Sequence, residues 1–147
     1  MIDSDPNWKD SQSGRRKIDY GPSANFKKKK IKVGSFRGLP QYSRDFIFNK
    51  LQAIKESGDM QYAAFNAKLE TFSPIEVNVL SYEEEKGANI ASHFDDFWLW
   101  GERIIGVNLL SDTVMTYTKP TDPSVVIQVP IPRRSLYLMS EASRNEW

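Results

Sequence analysis

The sequence predicts an α+β protein that is mainly β, and three observations carry the prediction. One stretch of helical apolar spacing lies before residue 60, several short apolar segments follow Pro74, and turn-forming residues separate those segments at regular intervals. One helix followed by a series of short strands is the pattern of a sandwich or barrel supported by helix on one side. At 147 residues the chain is long enough for a single domain with a real core.

Taken in order, residues 1–40 show little apolar periodicity and are broken by Gly14, Gly21, Pro22, Gly34, Gly38 and Pro40. They read mostly as an arm, with Ile31–Val33 as a short candidate strand. Residues 1–37 hold ten Lys or Arg against four Asp or Glu. Arg15, Arg16, Lys17 and the run Lys27, Lys28, Lys29 and Lys30 stand beside Tyr20 and Phe26. Basic residues interleaved with aromatics suit a phosphate backbone and a stacking surface, that is, a polyanion. A solvated linker has the same composition.

From Ser43 to Ser57, Ile47, Leu51 and Ile54 fall at helical spacing, Phe46 and Phe48 flank the stripe, and Gly58 supplies a stop. Ser43 is the expected N-cap. Residues 60–74 fit neither period. Beyond Pro74, Ile75, Val77 and Val79 alternate with Glu76, Asn78 and Leu80 as in a half-buried strand. The denser run Arg103–Ser111 suggests a strand covered on both faces. Val114–Thr118, Ser124–Ile131 and Ser135–Ser140 complete the series, with turns at Lys119–Pro123 and Pro130–Arg134. The division expected from composition is a basic arm or lid, 1–40, and a body, 41–147. The absence of cysteine excludes disulfides and thiolate zinc sites. No apolar window reaches membrane-spanning length and the N-terminus is not a secretory signal. An intracellular protein of the cytoplasm or nucleus, without a membrane partner, is expected.

Between Glu70 and Glu102 eight carboxylates face the single Lys86. Here stands the one histidine, His93, two residues before Asp95 in SHFDDFWLWGER. In an extended segment these side chains share a face and can present an imidazole nitrogen and a carboxylate oxygen to one ion. That is two thirds of the facial triad of non-haem iron oxygenases. The triplet alone is common, and an isolated β protein that merely contains it is one alternative.

The surrounding residues narrow the reading. Tyr82, Gly87 and Ile90 precede His93 and Asp95 in an order that resembles the metal-binding region of the AlkB family of iron(II)/2-oxoglutarate-dependent dioxygenases. DDFWLWGERI resembles the branch of the fourth AlkB homologue. SQSGRRKIDYGPSANFKKKKIK (Ser11–Lys32) resembles that branch's basic lid, and IPRRSLYLMSEASRNEW (Ile131–Trp147) resembles the approach to its second histidine ligand. The resemblance implies a double-stranded β-helix, jelly-roll-like core with at least one supporting N-terminal helix. It implies Fe(II) as cofactor and 2-oxoglutarate as co-substrate. His93 and Asp95 match the iron ligands and Tyr82 the tyrosine that contacts the keto acid. The expected activity is oxidative N-demethylation of a methylated protein lysine (actin-type) or of N6-methyladenine in methylated DNA.

The chain also departs from the family pattern. Leu80 stands where members carry an asparagine two residues before the tyrosine. Phe97 stands where base-repairing members often carry a carboxylate, and Asp96 directly follows the metal aspartate. Phe94, Asp96, Phe97, Trp98 and Trp100 are the candidate substrate contacts, since aromatic faces stack a base or cage a methylammonium group. Core packing is their alternative role. Arg103 beside Glu102 suggests a strand-end ion pair, and Arg144 a contributor to the site or to a neighbouring strand. The second histidine and the keto-acid arginine are implied beyond Trp147, so the expectation is a fold incomplete at its C-terminal strand and a weakly active or inactive chain. A non-catalytic binding module using the basic arm is the alternative function.

Overall fold

The computed structural model describes every residue except Met1, Ser35 and Arg37. The described chain separates into two compact units, Met1–Ile90 and Ala91–Trp147. It is mixed α and β, with more strand than helix.

In the first unit, β1 (Lys9–Asp10), β2 (Arg16–Tyr20) and β5 (Val77–Ser81) form an antiparallel sheet in the order β1-β2-β5. β3 (Ser23–Asn25) and β4 (Lys30–Lys32) form a separate hairpin. The basic segment is thus more ordered than its glycines and prolines suggest. The reason lies in β2: in Arg16–Lys17–Ile18–Asp19–Tyr20, Ile18 turns inward to 0% exposure. Its pairing opposite Val79 gives it an apolar partner from a distant strand. On the other face Asp19 accepts ion pairs from Lys17 at 3.0 Å and Lys9 at 3.6 Å.

The expected helix is present but differs in form. Gln41 and Tyr42 are already helical, so Ser43 lies inside the helix. Its hydroxyl donates back to the Pro40 carbonyl at 2.7 Å, where an N-cap would accept from the helix. Ser43–Phe48 is a π-turn that runs into α1 (Asn49–Glu56). The Asn49 side-chain amide donates to the Asp45 carbonyl at 2.9 Å, taking an acceptor the regular ladder would otherwise use. Leu51 is buried, as the stripe requires, while Phe46 is exposed. The ambiguous segment holds α2 (Ala63–Leu69), anchored by buried Leu69.

In the second unit, β6 (Ile104–Asn108) pairs with β9 (Ser135–Met139), and β7 (Thr113–Lys119) pairs with β8 (Asp122–Ile131). The β7–β8 hairpin is therefore nested within the β6–β9 pair. All four strands fall where the alternation places them. β6 is half-buried throughout, not covered on both faces. β8 is exposed at every position but Ile131. Two separate two-stranded ladders are formed, and no closed barrel is seen among the described residues. Asn108 ties the turns together: its amide donates to the carbonyls of Ser111, Ile131 and Pro132 at 2.7, 2.8 and 3.0 Å.

Candidate metal centre

The H-x-D segment lies at the start of the second unit, in irregular backbone between Ala91 and Asp96. No strand ladder holds it, so its geometry depends on side-chain and turn contacts. The Nδ1 of His93 lies 2.7 Å from the carbonyl oxygen of Ala91. A carbonyl can only accept, so Nδ1 carries a proton and donates, and in the neutral imidazole Nε2 keeps the lone pair. That Nε2 sits 3.5 Å from Oδ1 of Asp95. Two donors about 2.1 Å from one ion at adjacent octahedral positions stand roughly 3 Å apart. The pair is therefore close to the spacing a shared cation requires, and the tautomer is the one a metal needs. A backbone carbonyl on the remote nitrogen is a common way to orient a ligating imidazole.

Both side chains remain partly open, His93 at 47% and Asp95 at 31% exposure, so a small ion can reach them. These residues fit iron(II) as two of its ligands. No group of three or more His, Asp or Glu side chains with metal-holding geometry occurs among the described residues. The remaining positions of an octahedral ion would fall to water, a chelating acid or a donor from elsewhere.

After Asp95 the chain turns. The backbone N–H groups of Leu99 and Trp100 both donate to the Asp96 carbonyl, at 3.1 and 3.0 Å. The Asp96 carboxylate accepts from the Trp98 indole at 3.0 Å. Asp96 is thereby engaged in closing the turn. Phe94 and Phe97 are exposed and face each other with ring centres 5.9 Å apart, while Trp98 and Trp100 are half-buried. The structure thus pairs His93 with Asp95 and Phe94 with Phe97, and gives Asp96 and Trp98 to the turn that follows. Tyr82 belongs to the first unit, just beyond β5, where the Arg15 guanidinium lies 6.0 Å from its ring centre.

Two contacts were not foreseen from the residues. The Glu102 carboxylate accepts the backbone N–H of Glu141, tying the end of the turn to the residue before α3 (Ala142–Asn145). Arg144, in α3, is buried, with its guanidinium carbon 4.4 Å from the centre of the Phe97 ring. Both are long-range and carry no local signal. An apolar cavity of about 310 Å³ lies elsewhere in the unit, lined by Tyr117, Ile127, Val129, Tyr137 and Trp147 among others. None of the H-x-D residues contributes to it.

In the first unit, the basic residues of the hairpin gather around a groove of about 380 Å³ lined by Asn25, Lys28, Lys30 and Lys32 together with Ser23 and Ala24. Arg16 stacks 5.0 Å from the Trp8 ring centre. Nearby, the Tyr20 hydroxyl donates to Asp5. That bond, before all else, holds the Asp5 carboxyl below its ordinary value. Burial raises the Tyr20 phenol above its own, with the Asp5 bond adding to it.

No family model matches the chain. Curated relatives do. A Caenorhabditis elegans protein named DNA N6-methyl adenine demethylase is 42% identical over 147 residues, covering 100% of this chain and 46% of that protein. The mouse and human proteins named alpha-ketoglutarate-dependent dioxygenase alkB homolog 4 are 34% and 35% identical. Those two alignments cover 100% of this chain and 54% of each relative. The chain spans about half the length of the curated relatives it matches. Along its whole length, this chain is AlkB-like.

Proposed function

We propose that the chain carries part of the active site of an iron(II)/2-oxoglutarate-dependent dioxygenase that removes N-methyl groups by oxidation. The observation that carries this reading is the His93–Asp95 pair, 3.5 Å apart with the imidazole tautomer set by Ala91. Iron(II), when bound, supplies the activation of dioxygen. Of the two oxygen atoms, one enters succinate as 2-oxoglutarate loses carbon dioxide, and the other enters the substrate methyl group. The hydroxymethyl amine then releases formaldehyde and leaves N–H. The chain's own part is to present two ligands on one side of the ion and to set Phe94 and Phe97 beside it for the substrate.

On the family resemblance, Tyr82 is assigned to the keto acid, and a double-stranded β-helix is the proposed architecture. For substrate, the basic β3–β4 hairpin favours a polyanion, so N6-methyladenine in DNA is preferred over a methylated lysine of an actin-type protein. The relative named for that demethylation supports the choice. The second reading, a non-catalytic binding module, draws on the same lysine-lined groove.

Titration with iron(II) and 2-oxoglutarate without oxygen tests the proposal. A visible charge-transfer band that His93→Ala abolishes is the expected result. A chain that binds DNA but gives no band, at any accessible metal concentration, is the binding module instead.

A further inference from the structure

The basic hairpin has a second face that a nucleic-acid contact leaves unused. In extended backbone, alternate side chains share a face. Lys28, Lys30 and Lys32 fall on one, and these three line the groove beside Asn25. Ile31 takes the other and Val33 follows it by two, at 48% and 65% exposure. Phosphates would engage the lysines and leave both apolar side chains in water. A membrane surface needs cations and apolar groups at one level, and alternation sets these on opposite sides. A groove that encloses a single extended strand meets both faces at once, with carboxylates for the ammonium groups and an apolar wall for Ile31 and Val33.

β4 can leave its hairpin at little cost. β3 and β4 form a separate two-stranded sheet of three residue pairs, and none of residues 23–33 is buried. Such a ladder is marginal in water. Its turn holds Lys29 at φ 46°, a left-handed conformation that straightening relieves. Lys27, Lys28, Lys29, Lys30 and Lys32 form no ion pairs among the described residues, so no such partner is lost. The upstream cluster differs. Arg16 lies in β2 opposite Ser81 and over the Trp8 ring, and Ile18, two residues on, is fully buried. Straightening β2 would break its sheet, so the hairpin segment alone is available. We propose that residues 27–33 are a docking peptide, read in extended form by an acidic groove of the armadillo-repeat type that nuclear import receptors present to lysine-rich segments. The proposal stands apart from the oxygenase reading.

The test uses the full chain and a purified armadillo-repeat import receptor, with affinity measured by calorimetry. Two charge-matched double variants separate strand reading from general attraction. Lys28→Ala with Lys30→Ala should weaken binding about 10- to 100-fold, the loss of charge-assisted contacts. Lys27→Ala with Lys29→Ala removes the same charge from the other face and should weaken it under about 3-fold. The chain has no cysteine, so Ala24→Cys with Ile31→Cys sets a single disulfide across paired positions of the hairpin. Oxidised, that variant should bind the receptor far more weakly than when reduced, because β4 can no longer leave β3. Fused to a reporter too large to diffuse through the nuclear pore, the parent should accumulate in nuclei and the Lys28, Lys30 double variant should not.

Equal losses in the two double variants would mean general electrostatic attraction and overturn the proposal. Equal affinity in the oxidised and reduced hairpin overturns it too, for the receptor would then not be reading a released strand. A parent chain that binds duplex DNA but not the receptor is a nucleic-acid surface alone, and a Lys28, Lys30 double variant that still accumulates in nuclei is carried there by something else. Either result overturns the docking peptide.

Discussion

Gly106→Ala should destabilise the second unit through one identifiable clash. Gly106 pairs with Tyr137 across β6 and β9. A Cβ placed on Gly106 would stand 2.0 Å from Cζ of Tyr137, 2.2 Å from its hydroxyl oxygen and 2.4 Å from Cε1. Ordinary carbon–carbon contact begins near 3.5 Å, so the ring must move by about 1.5 Å or more. The three clashing atoms all belong to one side chain, so the backbone ladder need not break. Tyr137 is half-buried and lines the apolar cavity with Tyr117 and Trp147, so moving it forfeits packing there. A forced shift of this kind costs about 1–3 kcal/mol. Urea unfolding of the parent, Gly106→Ala, Tyr137→Leu and the double variant measures both the cost and its origin. In the Tyr137→Leu background the added methyl should cost under about 0.5 kcal/mol, giving a coupling of about 1 kcal/mol or more. A cost for Gly106→Ala that is the same in both backgrounds would refute the steric argument.

Other consequences follow from the same structure. Ile18→Ala removes three buried carbons from the centre of β2 and should cost about 2–4 kcal/mol in urea unfolding; a loss under 1 kcal/mol would mean that the sheet is not the core of its unit. Tyr20→Phe removes the donor that keeps the Asp5 carboxyl below 3.8. A depressed carboxyl stabilises the folded state above its unfolded value and loses that contribution as pH falls through the folded one. The melting difference between parent and Tyr20→Phe should therefore hold above about pH 5 and shrink below about pH 4; a difference that stays constant to pH 2 would assign it to packing. Replacing Lys28, Lys30 and Lys32 together by alanine should weaken DNA binding and reduce the slope of log affinity against log salt by about 2 to 3. An unchanged slope would remove the groove from the nucleic-acid surface.

Much of the architecture was legible because it is local. The alternation of Val77 and Val79, the apolar runs in Ile104–Asn108 and Ser135–Met139, and the turn residues between strands each act over a few positions. The helix stripe ending at Gly58 is local too, although Pro40 and Asn49 gave it a start and a π-turn that spacing does not encode. The basic segment misled for the opposite reason. Its prolines and glycines mark where strands end, and the fact that β2 is a strand depends on β5, far along the chain. Composition groups residues 1–40 by charge, whereas the compact units divide at Ile90 and Ala91 by what each segment packs against.

The sequence by itself determined the candidate ligand types, their spacing and the family likeness, since side-chain chemistry and order are written in the residues. Tertiary structure decided which nitrogen of His93 is free, that Asp96 closes a turn with Trp98, and that Arg144 is buried on Phe97. The physical reason is that periodicity fixes which face a side chain takes. What meets that face is settled only when distant segments compete to bury apolar surface and pair every buried polar group.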